Sequence, residues 1–169
     1  MELDDNQLTA IKRLFDILWD NVECSKSAYQ EFEDSFGDYS DDNDSLCLLI
    51  WERFNSSFAW NRAFEFLYEL EIWKQKYEID IEFPYSIGEG EEREITWDDI
   101  KNDIVELLID NGFDLWSAEI DTTIYLRIVK VNYRDEIFSI VDYLGIDIDL
   151  FDKSIFVLSH PKYKAVSVD

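Results

Sequence analysis

Between Thr96 and Phe151 the hydrophobic residues switch from helical spacing to alternation and back, and each switch falls on a residue suited to a stop or a turn. Thr96 is a good N-cap, and Asp98 and Asp99 suit the positive end of a helix dipole. Ile100, Ile104, Val105, Leu107 and Leu108 then form one apolar stripe, and Asn111-Gly112 supplies a left-handed stop. Phe113 to Ile120 and Thr123 to Lys130 read as a hairpin around Asp121-Thr122, with Ile124, Leu126 and Ile128 on one face and Tyr125, Arg127 and Val129 on the other. Asn132 is expected to cap a helix whose Ile137, Ile140, Val141 and Leu144 face inward until Gly145 ends it. Ile146 to Leu150 alternates as a further strand, to which Ile155 to Leu158 is placed to return antiparallel. Upstream, Tyr77, Ile79, Ile81 and Phe83 alternate with Glu78, Asp80 and Glu82, which predicts a strand stopping at Pro84. From about residue 77 the order is therefore β-α-β-β-α-β, and the sheet is expected to be mostly antiparallel.

The preceding stretch is expected to be a series of helices, interrupted by an exposed acidic loop from Gly37 to Ser45 and a break at Asn55-Ser56-Ser57. Leu8, Ile11, Leu14, Phe15, Leu18 and Val22 recur at helical spacing from Asp5 to Glu23, and Tyr29, Phe32 and Phe36 mark a short second helix from Ala28 to Phe36. Leu46 to Phe54 is apolar on too many faces for a surface helix, so it is expected deep in the core, capped by Asp44 or Ser45. Phe58 to Lys76 predicts another helix, with Trp60, Ala63, Phe64, Leu67 and Leu70 as its core stripe and Phe66 and Trp73 on a second side. We read residues 1–169 as a single α+β domain: a helical half over about 5–76 packed on a sheet-containing half over about 77–158, with a C-terminal arm over 159–169. A chain of this length buries enough surface for one real core.

Chemistry is harder to find than fold. With 39 acidic against 15 basic residues the formal charge is −24, so the surface field repels phosphates and anionic lipid, and neither nucleic acid nor a membrane is an expected direct partner. Cys24 and Cys47 are too few for a disulfide framework or a zinc site, and read as small packing residues in a reducing compartment. Met1-Glu2-Leu3-Asp4-Asp5 lacks the basic and apolar regions of a signal peptide, so the expected location is cytoplasmic. Asp42-Asn43-Asp44 opens like a calcium loop but meets Leu46 at the next ligand position and lacks the glycine and the closing glutamate. The pair Gly88 and Gly90 sits among glutamates that would repel phosphate, and the one histidine, His160, lies beside Pro161 far from either cysteine. We therefore expect no cofactor, no metal, no catalytic residue and no enzymatic activity.

Recognition remains. Glu31, Glu33, Asp34, Asp38, Asp41, Asp42 and Asp44 form one acidic cluster, and Glu89, Glu91, Glu92 and Glu94 form a second, both on or beside expected loops. Carboxylates there are placed to meet lysine and arginine of a basic partner, while interspersed aromatics supply anchors. Tyr39 and Tyr85 are the expected anchors, and Trp97 and Trp116 are either further anchors or core.

The strings Gly112-Phe113-Asp114-Leu115-Trp116 and Asp142-Tyr143-Leu144-Gly145-Ile146-Asp147-Ile148, with Leu49-Ile50-Trp51-Glu52, resemble a family of small acidic bacterial α/β proteins of uncharacterised function. That resemblance implies a fold and no activity. In composition the chain is also similar to immunity proteins of bacterial toxin systems, which are small, cytosolic, acidic and aromatic-rich. The expected function is thus non-enzymatic neutralisation of a basic protein, a toxin first. The alternatives are a DNA-mimicking inhibitor of a nucleic-acid-binding protein, and an enzyme or small-ligand domain with a pocket the sequence does not display.

Overall fold

A computed structural model describes residues 3–19, 21–36, 43–54, 57–59, 62–85, 95–120 and 122–151. Helix α1 (Asp5–Leu18) opens with a reciprocal cap in which Asp4 accepts from the Gln7 amide at 2.8 Å and Gln7 accepts from the Asp4 amide at 2.9 Å. Its stripe of Ile11, Leu14, Phe15, Ile17 and Leu18 is buried. The helix does not continue to Glu23, because the Asn21 side chain accepts from the Glu23 and Cys24 amides and starts α2 (Val22–Phe36) there. Val22, expected on the buried stripe, is 67% exposed at the head of α2. Helix α3 (Asn43–Trp51) starts ahead of the Asp44 and Ser45 proposed as its cap, and continues into a 3-10 turn (Glu52–Phe54). Its Leu46, Cys47, Leu49, Ile50 and Trp51 are all buried, as the all-round apolar pattern requires, whereas Cys24 is exposed and not a packing residue.

Two elements depart from the sequence reading. The helix expected from Phe58 is preceded by a strand, β1 (Ser57–Ala59), and α4 spans Ala63–Lys76. Phe58 pairs with Ile124 and stacks its ring edge-on against Phe66 and Trp97, so tertiary pairing overrides helical periodicity there. Conversely, Tyr77 to Phe83 forms no strand. The chain turns at Tyr77-Glu78, where Glu78 has φ of 52°, and the Ile79 amide donates back to the Lys74 carbonyl at 3.0 Å. Alternation survives in the side chains, with Ile81 buried and Asp80 and Glu82 exposed, but no ladder partner lies beside this segment among the described residues.

The rest follows the predicted punctuation closely. Thr96 and Asp99 form a second reciprocal cap, and α5 (Trp97–Asp99), a π-type turn (Ile100–Ile104) and α6 (Val105–Asp110) stack into one helical run. Gly112, at φ of 87°, leads into β2 (Phe113–Ile120), which pairs with β3 (Thr123–Lys130) from Phe113–Lys130 to Ile120–Thr123. Asn132 is not the cap of the next helix, because it lies inside a 3-10 turn (Val131–Tyr133) and α7 (Arg134–Leu144) begins after Tyr133. Gly145 closes α7 with φ of 67°. Only Asp149–Leu150 of the expected last strand pairs, forming β4 beside β2. Trp60, Asp121, Ile155 to Leu158 and the arm with His160 lie outside the described residues.

The sheet order is β1-β3-β2-β4, antiparallel throughout, so the chain is an α+β protein. Helices cover both faces. Trp116, Ala118, Tyr125 and Val129 point into a core shared with α1, α2, α3 and α7, and Leu115, Ile124 and Leu126 point into a second core shared with α4, Ile81 and the α5–α6 run. Between the first core and the hairpin, Arg134 donates to both carboxylate oxygens of Asp114, whose side chain is fully buried.

Candidate functional site

Of the first predicted cluster, Glu31, Glu33 and Asp34 lie on the outer side of α2 and are exposed. Glu31 reaches Arg53 at 3.6 Å, and Asp34 accepts from Gln30 at 3.1 Å. Glu33 stands by Tyr29, whose hydroxyl is pushed up to about 12 by burial and, after that, by the Glu33 charge. Asp44 falls in the first turn of α3 instead of a loop, and Asp38, Tyr39, Asp41 and Asp42 lie outside the described residues. So do Glu89, Glu91, Glu92 and Glu94 of the second cluster. Tyr85 is half-buried and donates its hydroxyl to Asp103, which fixes it against the α5–α6 run. The α2 acids and Tyr85 therefore belong to opposite sides of the sheet. Trp97 and Trp116 are core, at 5% and 0% exposure.

A second acidic feature emerges from the fold. Asp98, Asp103, Glu106 and Asp110 are exposed along the α5–α6 run, which at ~1.5 Å per residue makes a ridge of roughly 18 Å. Among the described residues, Asp98, Glu106 and Asp110 have no ion-pair partner, and neither do Glu23 and Glu119. Arg13, Arg62, Lys74 and Arg134 are engaged in pairs with Glu136, Glu65, Glu71 and Asp114, and Lys101, the lysine on the run itself, lies over the Phe151 ring at 4.9 Å. The ridge was present in the sequence as the polar side of the Ile100–Leu108 stripe.

On the other flank of the second core, α4 and β3 enclose a cleft of about 320 Å³ lined by Leu70, Ile72, Trp73, Lys76, Tyr77 and Ile128, among others. Trp73 is held edge-on against Phe113 at 4.9 Å. Beside the cleft, Phe64, Tyr68 and Ile72 are 43%, 52% and 66% exposed at i, i+4, i+8 spacing, so one apolar line of α4 faces solvent. Phe64 thus leaves the core stripe assigned to it, and Phe66 takes its place. Glu69 also lines the cleft, and burial against this wall raises its carboxyl above the usual range, opposed by the nearby charge of Arg127.

Glu69 therefore works against folding. Its pKa is higher folded than unfolded, so ionisation costs stability that is fully lost above the folded value and regained below the unfolded one. Glu69→Gln is expected to raise the unfolding midpoint at neutral pH by a small amount, within about 1 kcal/mol because the group is exposed. Thermal melts across pH check this: the gain should vanish below the ordinary carboxylate range.

Among the described residues no group of three or more His, Cys, Asp or Glu is arranged to hold a metal, and no helix is long and apolar enough to cross a membrane. The arrangement defines an acidic α+β scaffold with an acidic ridge, an acidic helix face and a cleft of mixed lining that includes Glu69, Lys76 and Arg127. Comparison with protein-family models, curated proteins and solved structures found no match to the chain.

Proposed function

We propose that this chain is a non-enzymatic binding protein of the reducing cytosol that captures and neutralises a basic protein, in the manner of an immunity protein blocking a bacterial toxin. The observation that carries this reading is the ridge Asp98, Asp103, Glu106 and Asp110: four exposed carboxylates along one helical run. Such an array speeds encounter with a cationic surface and sets its orientation.

The same linear spacing favours a second reading, a mimic of the DNA backbone that occupies a nucleic-acid-binding protein. One experiment tests both. The purified chain is mixed with the basic product of the neighbouring gene, at low and at high salt. Salt-sensitive binding, with growth restored to cells co-expressing the two, supports the immunity reading. Displacement of the chain from that partner by duplex DNA supports mimicry. Absence of binding at low salt, where charge pairing is strongest, removes both.

A further inference from the structure

Of the five glycines only Gly112 follows an asparagine, and none follows an aspartate. The pair Asn-Gly carries a reaction of its own. The glycine nitrogen, after its proton passes to hydroxide, attacks Cγ of the asparagine; the Cγ–Nδ2 bond breaks, ammonia leaves with a proton from water, and a five-membered imide remains. Water then opens the imide at either carbonyl, giving aspartate or isoaspartate and one carboxylate more. Glycine favours the attack because it has no Cβ to crowd the nitrogen. The fold nevertheless uses both residues. Gly112 holds φ of 87° where an added Cβ would meet nothing within 4 Å, so the backbone angle and not crowding selects glycine. Asn111 is exposed, and its Nδ2 donates to the Leu107 carbonyl at 2.8 Å, satisfying one of the free acceptors at the end of α6.

The folded geometry opposes the attack. The Gly112 N–H donates to the Ile109 carbonyl at 2.9 Å, so the proton that must leave is already bonded. Asn111 has ψ of 9°, which eclipses the Gly112 nitrogen with Asn111's own nitrogen, whereas closing the imide needs it beside Cβ. The bond from Nδ2 to Leu107 holds the side-chain amide back along α6. On the strand side the Val131 amide donates to the Gly112 carbonyl at 3.0 Å, and Phe113 pairs with Lys130. Asn111 therefore turns to a reactive ψ only when the α6–β2 junction parts from this end of the hairpin.

We infer that Asn111-Gly112 is a modification site gated by the fold: protected while the α6–β2 junction is intact, and converted to aspartate or isoaspartate in chains that stay unfolded, which then regain the native state less fully. Isoaspartate inserts an extra main-chain carbon just before Gly112 and shifts β2 against the Phe113–Lys130 register. Aspartate removes the donor to Leu107 and sets a second carboxylate beside Asp110 at the negative end of α6. Either product weakens the entry to β2, whose Leu115 and Trp116 belong to the two cores. The mark needs no partner, so it stands or falls separately from the proposed function.

The full chain is incubated at mildly alkaline pH with and without urea, beside a peptide of residues 108–114 in the same buffers. Reductant is present throughout, so that Cys24 and Cys47 take no part. Peptide mapping by mass spectrometry counts aspartate and isoaspartate at position 111. The urea-unfolded chain should keep pace with the peptide, and the folded chain should lag both by roughly tenfold or more. Equal conversion of folded and unfolded chain overturns the proposal. Amide exchange at Gly112 in the folded sample should be slowed as well, since both reactions need the same N–H freed, and fast exchange there overturns the gate. Wild type aged in urea and returned to buffer should recover less native tryptophan fluorescence than wild type unfolded briefly. It should also recover less than Asn111→Gln aged for the same time, because the longer side chain closes only a slow six-membered ring. Full recovery of the aged wild type, or equal losses in the two chains, overturns the mark.

Discussion

Trp116→Ala is expected to be the most damaging single truncation in the first core, lowering the unfolding free energy by about 3–5 kcal/mol. The indole is fully buried on β2 and meets Phe138 of α7 at 4.6 Å between ring centroids. Its neighbours sit on separate elements tied by the sheet, so they relax only partly into the space left behind. Against the ~5–15 kcal/mol total of an ordinary domain, such a loss consumes a large share of the stability. Urea denaturation followed by tryptophan fluorescence measures it. Trp116→Phe, which keeps the contact with Phe138, should cost less than half as much, and equal costs would mean that ring volume is not what this position supplies.

The Asp114–Arg134 pair should show a different pattern. Arg134→Met leaves a fully buried carboxylate without its cation, a change that costs about 3–5 kcal/mol. Removing both charges together, as Asp114→Leu with Arg134→Met, should bring stability back to within about 1 kcal/mol of wild type or above it, because neither ion then has to be desolvated. The side-chain bonds join the start of β2 to the first turn of α7, Nε of Arg134 lying 2.8 Å from Oδ2 of Asp114. A double variant as unstable as the single would show that the pair contributes geometry and not only mutual neutralisation. Chemical denaturation of the four-member cycle decides.

The hairpin was legible residue by residue because its period of two and its stops are local properties. Gly112 and Gly145 mark helix ends through backbone conformations that side-chain-bearing residues resist, and both take positive φ. Strand β1 was not legible, since Phe58 is a strand residue only by virtue of Ile124, which arrives much later in the chain. Tyr77 to Phe83 shows the converse, an alternating segment that lacks a neighbour to pair with. Along α2 the acids were readable as a polar side, and they are exposed. The cleft was hidden for two reasons: its walls come from α4 and β3, and Phe64, Tyr68 and Ile72 carry the same hydrophobic signal as core residues while facing water.

Both cores close on the same hairpin, and this sets an order of events during synthesis. Helices α1, α2 and α3 leave the ribosome with Phe15, Phe32, Leu49 and Trp51 ready to pack, but Trp116, Tyr125 and Ile137 must emerge before that core is complete. At ~5–20 residues per second the delay is several seconds, in which a greasy helical face is bare. Strand β1 and α4 wait likewise for Ile124 and Leu126. The acids interleaved on those early helices, Asp5, Asp16, Glu23, Glu31 and Glu33 among them, keep nascent copies apart over the same interval. The negative coat thus protects the chain before there is a finished surface to present to any partner.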